Sequence, residues 1–103
     1  MFSAAHKRHT IDELRSIVAP VAQKYEVDKV YIFGSVARGD HNENSDYDFY
    51  IESKKMRSAI TLSEFYMDLR DAVGSEIDLI STKRIDPAFL DTIMTEGVIL
   101  FEQ

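Results

Sequence analysis

Apolar positions follow helical and strand rhythms in turn along the chain. Ile11, Leu14, Ile17, Val18, Val21 and Tyr25 recur at three- and four-residue spacing, headed by Thr10 and Glu13 in a capping-box pattern. This predicts a helix over residues 10–25, kinked or ended early at Pro20, whose ring removes a backbone donor. Lys29-Val30-Tyr31-Ile32-Phe33 is rich in β-branched and aromatic residues and stops at Gly34, which reads as a buried strand. Residues 39–45 have loop composition, and residues 46–51 read as a second strand. Its alternation places Tyr47, Phe49 and Ile51 on one face and Asp46, Asp48 and Tyr50 on the other.

Beyond it, Thr61 and Glu64 form a second capping-box pattern before the stripe Leu62, Phe65, Tyr66, Leu69, Ala72 and Val73, closed by Gly74. Residues 76–81 read as a third strand, apolar at its centre except for Asp78. Asp86-Pro87 suits the N-cap and first position of a helix through Phe89, Leu90 and Ile93 to about Glu96. Gly97 ends it, and Val98 to Phe101 is an edge strand or a packed tail. The order predicts an α/β (α+β) fold, a small mixed sheet flanked by about four helices, in a single domain over residues 1–103.

Composition narrows the function classes. The chain has no cysteine, which excludes disulfides, thiolate metal sites and a cysteine nucleophile. Its longest apolar run, Val98 to Phe101, is far short of the ~20 residues of a membrane span. The first ten residues have no apolar core of a secretory signal, so the expected location is the cytoplasm. A formal charge of −6 argues against direct DNA binding, where basic residues supply most of the attraction. That charge is concentrated: Glu43, Asp46, Asp48 and Glu52 give residues 41–53 a charge of −4 with no Lys or Arg.

The chemistry gathers in Gly34-Ser35-Val36-Ala37-Arg38-Gly39-Asp40 and in Ser45-Asp46-Tyr47-Asp48. Asp46 and Asp48, two apart on a strand, project from one face with Cα atoms about 6.5–7 Å apart. Like charges that close repel unless a cation lies between them, and Mg²⁺ commonly uses one or two carboxylates together with substrate phosphates. Asp78 is a third carboxylate where a buried strand would favour an apolar residue, and it converges on the pair if the two strands are neighbours. Gly34 and Ser35 follow a strand and precede Val36 to Arg38, a short segment able to start a helix. That junction presents backbone N–H groups to a phosphate, with the Ser35 hydroxyl and the Arg38 guanidinium as further donors. A phosphate cradle beside a metal-binding acidic pair suits a nucleoside triphosphate and phosphoryl or nucleotidyl transfer.

Gly34-Ser35, ten residues and then Asp46-x-Asp48 satisfy the pattern G-S-x10-D-x-D, and the longer string G-S-x-A-R-G-(x)5-S-D-x-D is met at every fixed position. The sequence thereby resembles the polymerase-β-type nucleotidyltransferase superfamily, and within it the minimal nucleotidyltransferase (MNT) subfamily. The resemblance implies the nucleotidyltransferase fold and attack of an acceptor hydroxyl on the α-phosphorus of a nucleoside triphosphate. It implies that Gly34 and Ser35 hold the β- and γ-phosphates. Asp46 and Asp48 are implied to coordinate two Mg²⁺ ions, and Asp78 to bind the one nearer the acceptor and help deprotonate the hydroxyl. Arg38 is assigned to phosphate contact or to the partner surface. MNT domains commonly pair with a HEPN-domain toxin and transfer AMP from ATP to it, which implies a protein adenylyltransferase and antitoxin in a hetero-oligomer. Two alternatives stand beside this: a non-catalytic antitoxin that neutralises by covering its partner, and nucleotidyl transfer to a small molecule such as an aminoglycoside.

Other motifs carry less. Asp40-x-Asn42-x-Asn44 imitates the start of a calcium loop, but Ser45 and Ile51 occupy positions that need Gly and Glu. His6 and His9 lie in an N-terminal stretch that reads as frayed, His41 reads as a solvated loop residue, and Lys54, Lys55 and Arg57 read as a solvated patch.

Overall fold

A computed structural model describes residues 9–34, 37, 47–55, 58–81 and 85–103. Helix α1 (Ile11–Lys24) begins at the expected cap. The Thr10 hydroxyl accepts from the Glu13 N–H at 3.1 Å, and the Glu13 carboxylate accepts from the Thr10 N–H at 2.8 Å. It does not end at Pro20: the helix continues to Lys24. Pro20 and Ser16, four residues before it, are both exposed, so the Ser16 carbonyl deprived of its donor lies on the solvent side.

Strand β1 (Lys29–Phe33) and strand β2 (Tyr47–Glu52) pair antiparallel, with Phe33 opposite Asp48. Helix α2 (Ala59–Val73) starts a turn earlier than the Thr61–Glu64 pattern suggests. Ser58 supplies the cap, its hydroxyl accepting from the Ile60 N–H at 3.1 Å, so Thr61 falls inside the helix. Gly74 closes it in the left-handed conformation at φ 78°. The crossover brings strand β3 (Ile77–Ser81) alongside β2 in parallel. Helix α3 (Pro87–Glu96) is capped by Asp86, and strand β4 (Val98–Glu102) pairs antiparallel with β1. The sheet order is β3-β2-β1-β4. Three helices flank this mixed sheet among the described residues; the expected helical start at Val36 and Arg38 lies outside them.

The sheet separates two apolar layers. On one face Leu14, Val18 and Ala22 of α1 and Phe65, Leu69 and Val73 of α2 pack on Val30, Ile32, Tyr47, Phe49 and Ile51. On the other, Ile93 and Leu90 of α3 pack on Phe33 and Tyr50. Phe49, Phe65 and Leu14 are fully buried, each side chain contributing about 1.5–3 kcal/mol. The β2 alternation is therefore as expected, with Asp48 on the face that α3 covers among the described residues.

Candidate active site

Hydrogen-bond register brings the site together. Asp48 is the partner of Phe33 across the β1–β2 ladder and of Asp78 across the β2–β3 ladder. Directly paired residues project to the same side of a sheet, so Asp78, Asp48 and Phe33 form one row across three neighbouring strands, each step about 4.8 Å. The convergence of Asp78 with Asp48 thus follows from the parallel crossover. Asp48 is half-buried and Asp78 is exposed.

Gly34 lies against the same carboxylate. Its backbone is left-handed at φ 74°, and a Cβ placed there would collide with the Asp48 carboxylate oxygen and lie 3.3 Å from its carbon. Two demands therefore require glycine here, the positive φ and the contact with Asp48. The strand end that should receive phosphate and the acidic strand start are in van der Waals contact.

Asp46, Ser35 and Arg38 lie outside the described residues. Among the described residues no group of three metal-ligating side chains is assembled, since only two of the three expected carboxylates belong to them. Those two fit a hard divalent cation: oxygen donors paired across adjacent strands, one exposed, beside a glycine with no side chain to displace the Asp48 carboxylate.

The surroundings are apolar and aromatic. Tyr50, two residues after Asp48 and fully buried, packs beside Tyr31 with ring centroids 5.8 Å apart. Phe89, on the same helix as Leu90 and Ile93, is 38% exposed and meets Phe33 edge-on at 5.5 Å. Its place in the first turn of α3, beside the last residue of β1, is the signal that sets it apart.

The remaining polar features serve the scaffold. The His9 ring donates from Nε2 to the Val73 carbonyl at 2.7 Å, and its backbone N–H donates to the Tyr47 hydroxyl at 3.2 Å. His9 therefore ties the start of α1 to the end of α2 and is not part of a frayed terminus. Lys55 is held by Glu26 at 2.8 Å, and this hydrogen bond raises its pKa. Asp68 accepts from the Tyr25 hydroxyl at 2.6 Å and from Lys24 at 2.9 Å; these bonds, the tyrosine's first, lower its pKa. A groove lined by Lys24, Tyr25, Ile60, Met67 and Asp68 lies along α1 and α2, the helices that cover the face opposite the carboxylate row.

Residues 16–103 match the family described as polymerase beta, nucleotidyltransferase. The chain belongs to that family. A Methanocaldococcus jannaschii protein named "putative protein adenylyltransferase" is 32% identical over 88 residues, covering 85% of this chain and 95% of its own. Two solved structures share the fold. One, a toxin-antitoxin crystal structure with AMP-PNP, superposes with a TM-score of 0.74 at 21% identity over 86% of this chain and 73% of that one. The other, the tri-AMPylated Shewanella oneidensis HEPN toxin in complex with MNT antitoxin, has a TM-score of 0.69 at 17% identity over 91% and 74%. In this family member's sheet the glycine lies against Asp48, and Asp48 pairs with Asp78. Among the described residues no helix is long and apolar enough to cross a membrane.

Proposed function

We propose that this chain transfers AMP from ATP to a hydroxyl of a partner protein, a HEPN-type toxin, and so acts as its antitoxin in the cytoplasm. The observation that carries the reading is the paired Asp48 and Asp78 row with Gly34 pressed against Asp48. The relative's name and the AMPylated toxin bound to its MNT antitoxin support protein as the acceptor class.

In this reading the backbone at Gly34 and the Ser35 hydroxyl hold the β- and γ-phosphates, with Arg38 as a further phosphate contact. Asp46, Asp48 and Asp78 would hold two Mg²⁺ ions, which supply charge neutralisation at the triphosphate and lower the pKa of the acceptor hydroxyl. Asp78, exposed at the edge strand, takes the hydroxyl proton as the acceptor oxygen bonds to the α-phosphorus. The bond from that phosphorus to the β-phosphate bridging oxygen breaks, and pyrophosphate leaves. Most of the acceleration comes from holding the reactants in line on a rigid sheet.

The test is intact-mass spectrometry of the product of any neighbouring HEPN-type gene after incubation with this chain and Mg·ATP. The expected result is a gain of one or more AMP residues, abolished in the variant carrying both Asp46→Ala and Asp48→Ala. No gain with the native chain, or an equal gain with the double variant, overturns the proposal.

A further inference from the structure

We propose that the outward face of α2 is where two copies of this chain meet, their α2 helices antiparallel about a two-fold axis that passes between Ser63 and Glu64. Phe65, Leu69 and Val73 turn one side of α2 to the core. Ile60 and Met67 lie on the opposite side, 74% and 48% exposed. They are seven positions apart, two helical turns and about 10.5 Å along one line. Single exposed apolar residues are ordinary. This pair is aligned, and it borders a groove of about 600 Å³ whose other wall is Lys24 and Tyr25.

Two features select a second copy as the occupant. First, the face is its own complement. An isologous contact sets one residue against another and repeats the pair in reverse. With the axis between Ser63 and Glu64, Ile60 meets the second copy's Met67 and Met67 meets its Ile60, so neither apolar side chain is left over. Ser63 is small enough for two helices to approach to about 8–10 Å, and its hydroxyl comes beside the second copy's Glu64 carboxylate, an acceptor. Second, the charges fit. The first turn of α2 has no acidic residue to offset the positive end of its backbone dipole. Glu64 and Asp71, both exposed, come later on the helix and enter no ion pair among the described residues. Antiparallel pairing brings Asp71 of each copy to the N-terminal end of the other's α2, where that dipole favours it; parallel pairing would oppose like charges. Helices α1 and α2 cover the sheet face opposite Asp48 and Asp78, so both carboxylate rows stay open.

Pairing needs neither nucleotide nor toxin, so the chain alone is tested. Sedimentation velocity from about 1 to 100 μM should show a monomer–dimer equilibrium. Met67→Glu sets a charge in the apolar contact and should weaken dimerisation about tenfold or more, with native circular dichroism. The chain has no cysteine, so single replacements report the geometry. Under mild oxidation, Ile60→Cys protein mixed with Met67→Cys protein should form disulfide dimers at several times the yield of either variant alone, because only the mixed pair brings two sulfurs into bonding range. A native chain that is monomeric at the highest concentration, Met67→Glu that dimerises as the native chain does, or self-linking of Ile60→Cys equal to the mixed yield overturns the pairing. A monomeric chain in which Met67→Glu weakens binding of the HEPN partner gives the face to that partner and overturns it as well.

Discussion

Replacing Gly34 with alanine tests the site where backbone and chemistry meet, and Gly74 provides its control. Both glycines are left-handed, at φ 74° and 78°, so alanine at either position adds the same conformational cost of about 1–2 kcal/mol. For a domain of this size that corresponds to a fall in Tm of roughly 5–15 °C. The two differ in what the new methyl meets. At Gly74 no atom lies within 4 Å, whereas at Gly34 the methyl overlaps the Asp48 carboxylate. The carboxylate is the far end of a rotatable side chain and relieves the overlap by shifting, so the collision costs less stability than a clash with backbone would. It moves a proposed metal ligand instead, and displacement by about 1 Å at a reacting centre costs on the order of 10²-fold in rate. Thermal unfolding should therefore show two similar losses. Initial rates of AMP transfer, measured well below both melting points, should show a hundredfold loss for Gly34→Ala and none for Gly74→Ala. A native rate in Gly34→Ala, or equal rate losses in both, would refute the argument that Gly34 serves the Asp48 carboxylate.

Ligand linkage offers a second check: Mg·ATP at one hundred times its Kd should stabilise the native chain by about 2.7 kcal/mol, read as a Tm rise, and Asp48→Asn should abolish the rise. His9→Ala removes the ring donor to the Val73 carbonyl and should lower stability by about 0.5–1.5 kcal/mol in denaturant titration with the rate of transfer unchanged. Leu14→Ala, at a fully buried position between α1 and the sheet, should cost about 2–5 kcal/mol by the same assay. The Asp68 pKa is lowered in the fold, so its contribution is complete above the usual 3.8 and is lost as pH falls through the lower folded value. The Tm difference between native protein and Tyr25→Phe should accordingly be level from pH 6 to 8 and narrow below about pH 3.8.

Much of this was legible in the sequence because local chemistry and burial agreed. The Thr10 and Glu13 box, the strand 29–33, Gly74 as a helix end and the Asp86-Pro87 start each rest on interactions within a few residues, and each formed. Misreadings came where a distant or neighbouring group decided the outcome. Ser58 took the α2 cap from Thr61 because a hydroxyl one turn earlier reached the first free N–H. Pro20 stayed helical because water can donate to the exposed Ser16 carbonyl that it leaves without a partner. His9 looked unattached until α2 placed the Val73 carbonyl beside it. At the site, the spacing of Gly34, Ser35, Asp46 and Asp48 is a linear pattern, whereas the approach of Asp78 depends on strand order and parallel register, which no local pattern encodes. The exposure of Phe89 likewise depends on how far α3 extends along β1.

The register of β2 has a consequence for how this fold tolerates change. Asp48 lies between Tyr47 and Phe49, both buried on the opposite side of the sheet. A slip of one residue against β1 or β3 would turn the carboxylate into that apolar layer and bring two aromatic rings out to water. A charge without a partner in such a layer is far more costly than the loss of a few ladder bonds. The residue proposed to hold the metal is thus also a proofreader of strand alignment, and misaligned chains are rejected during folding by the same carboxylate that would be useless in them.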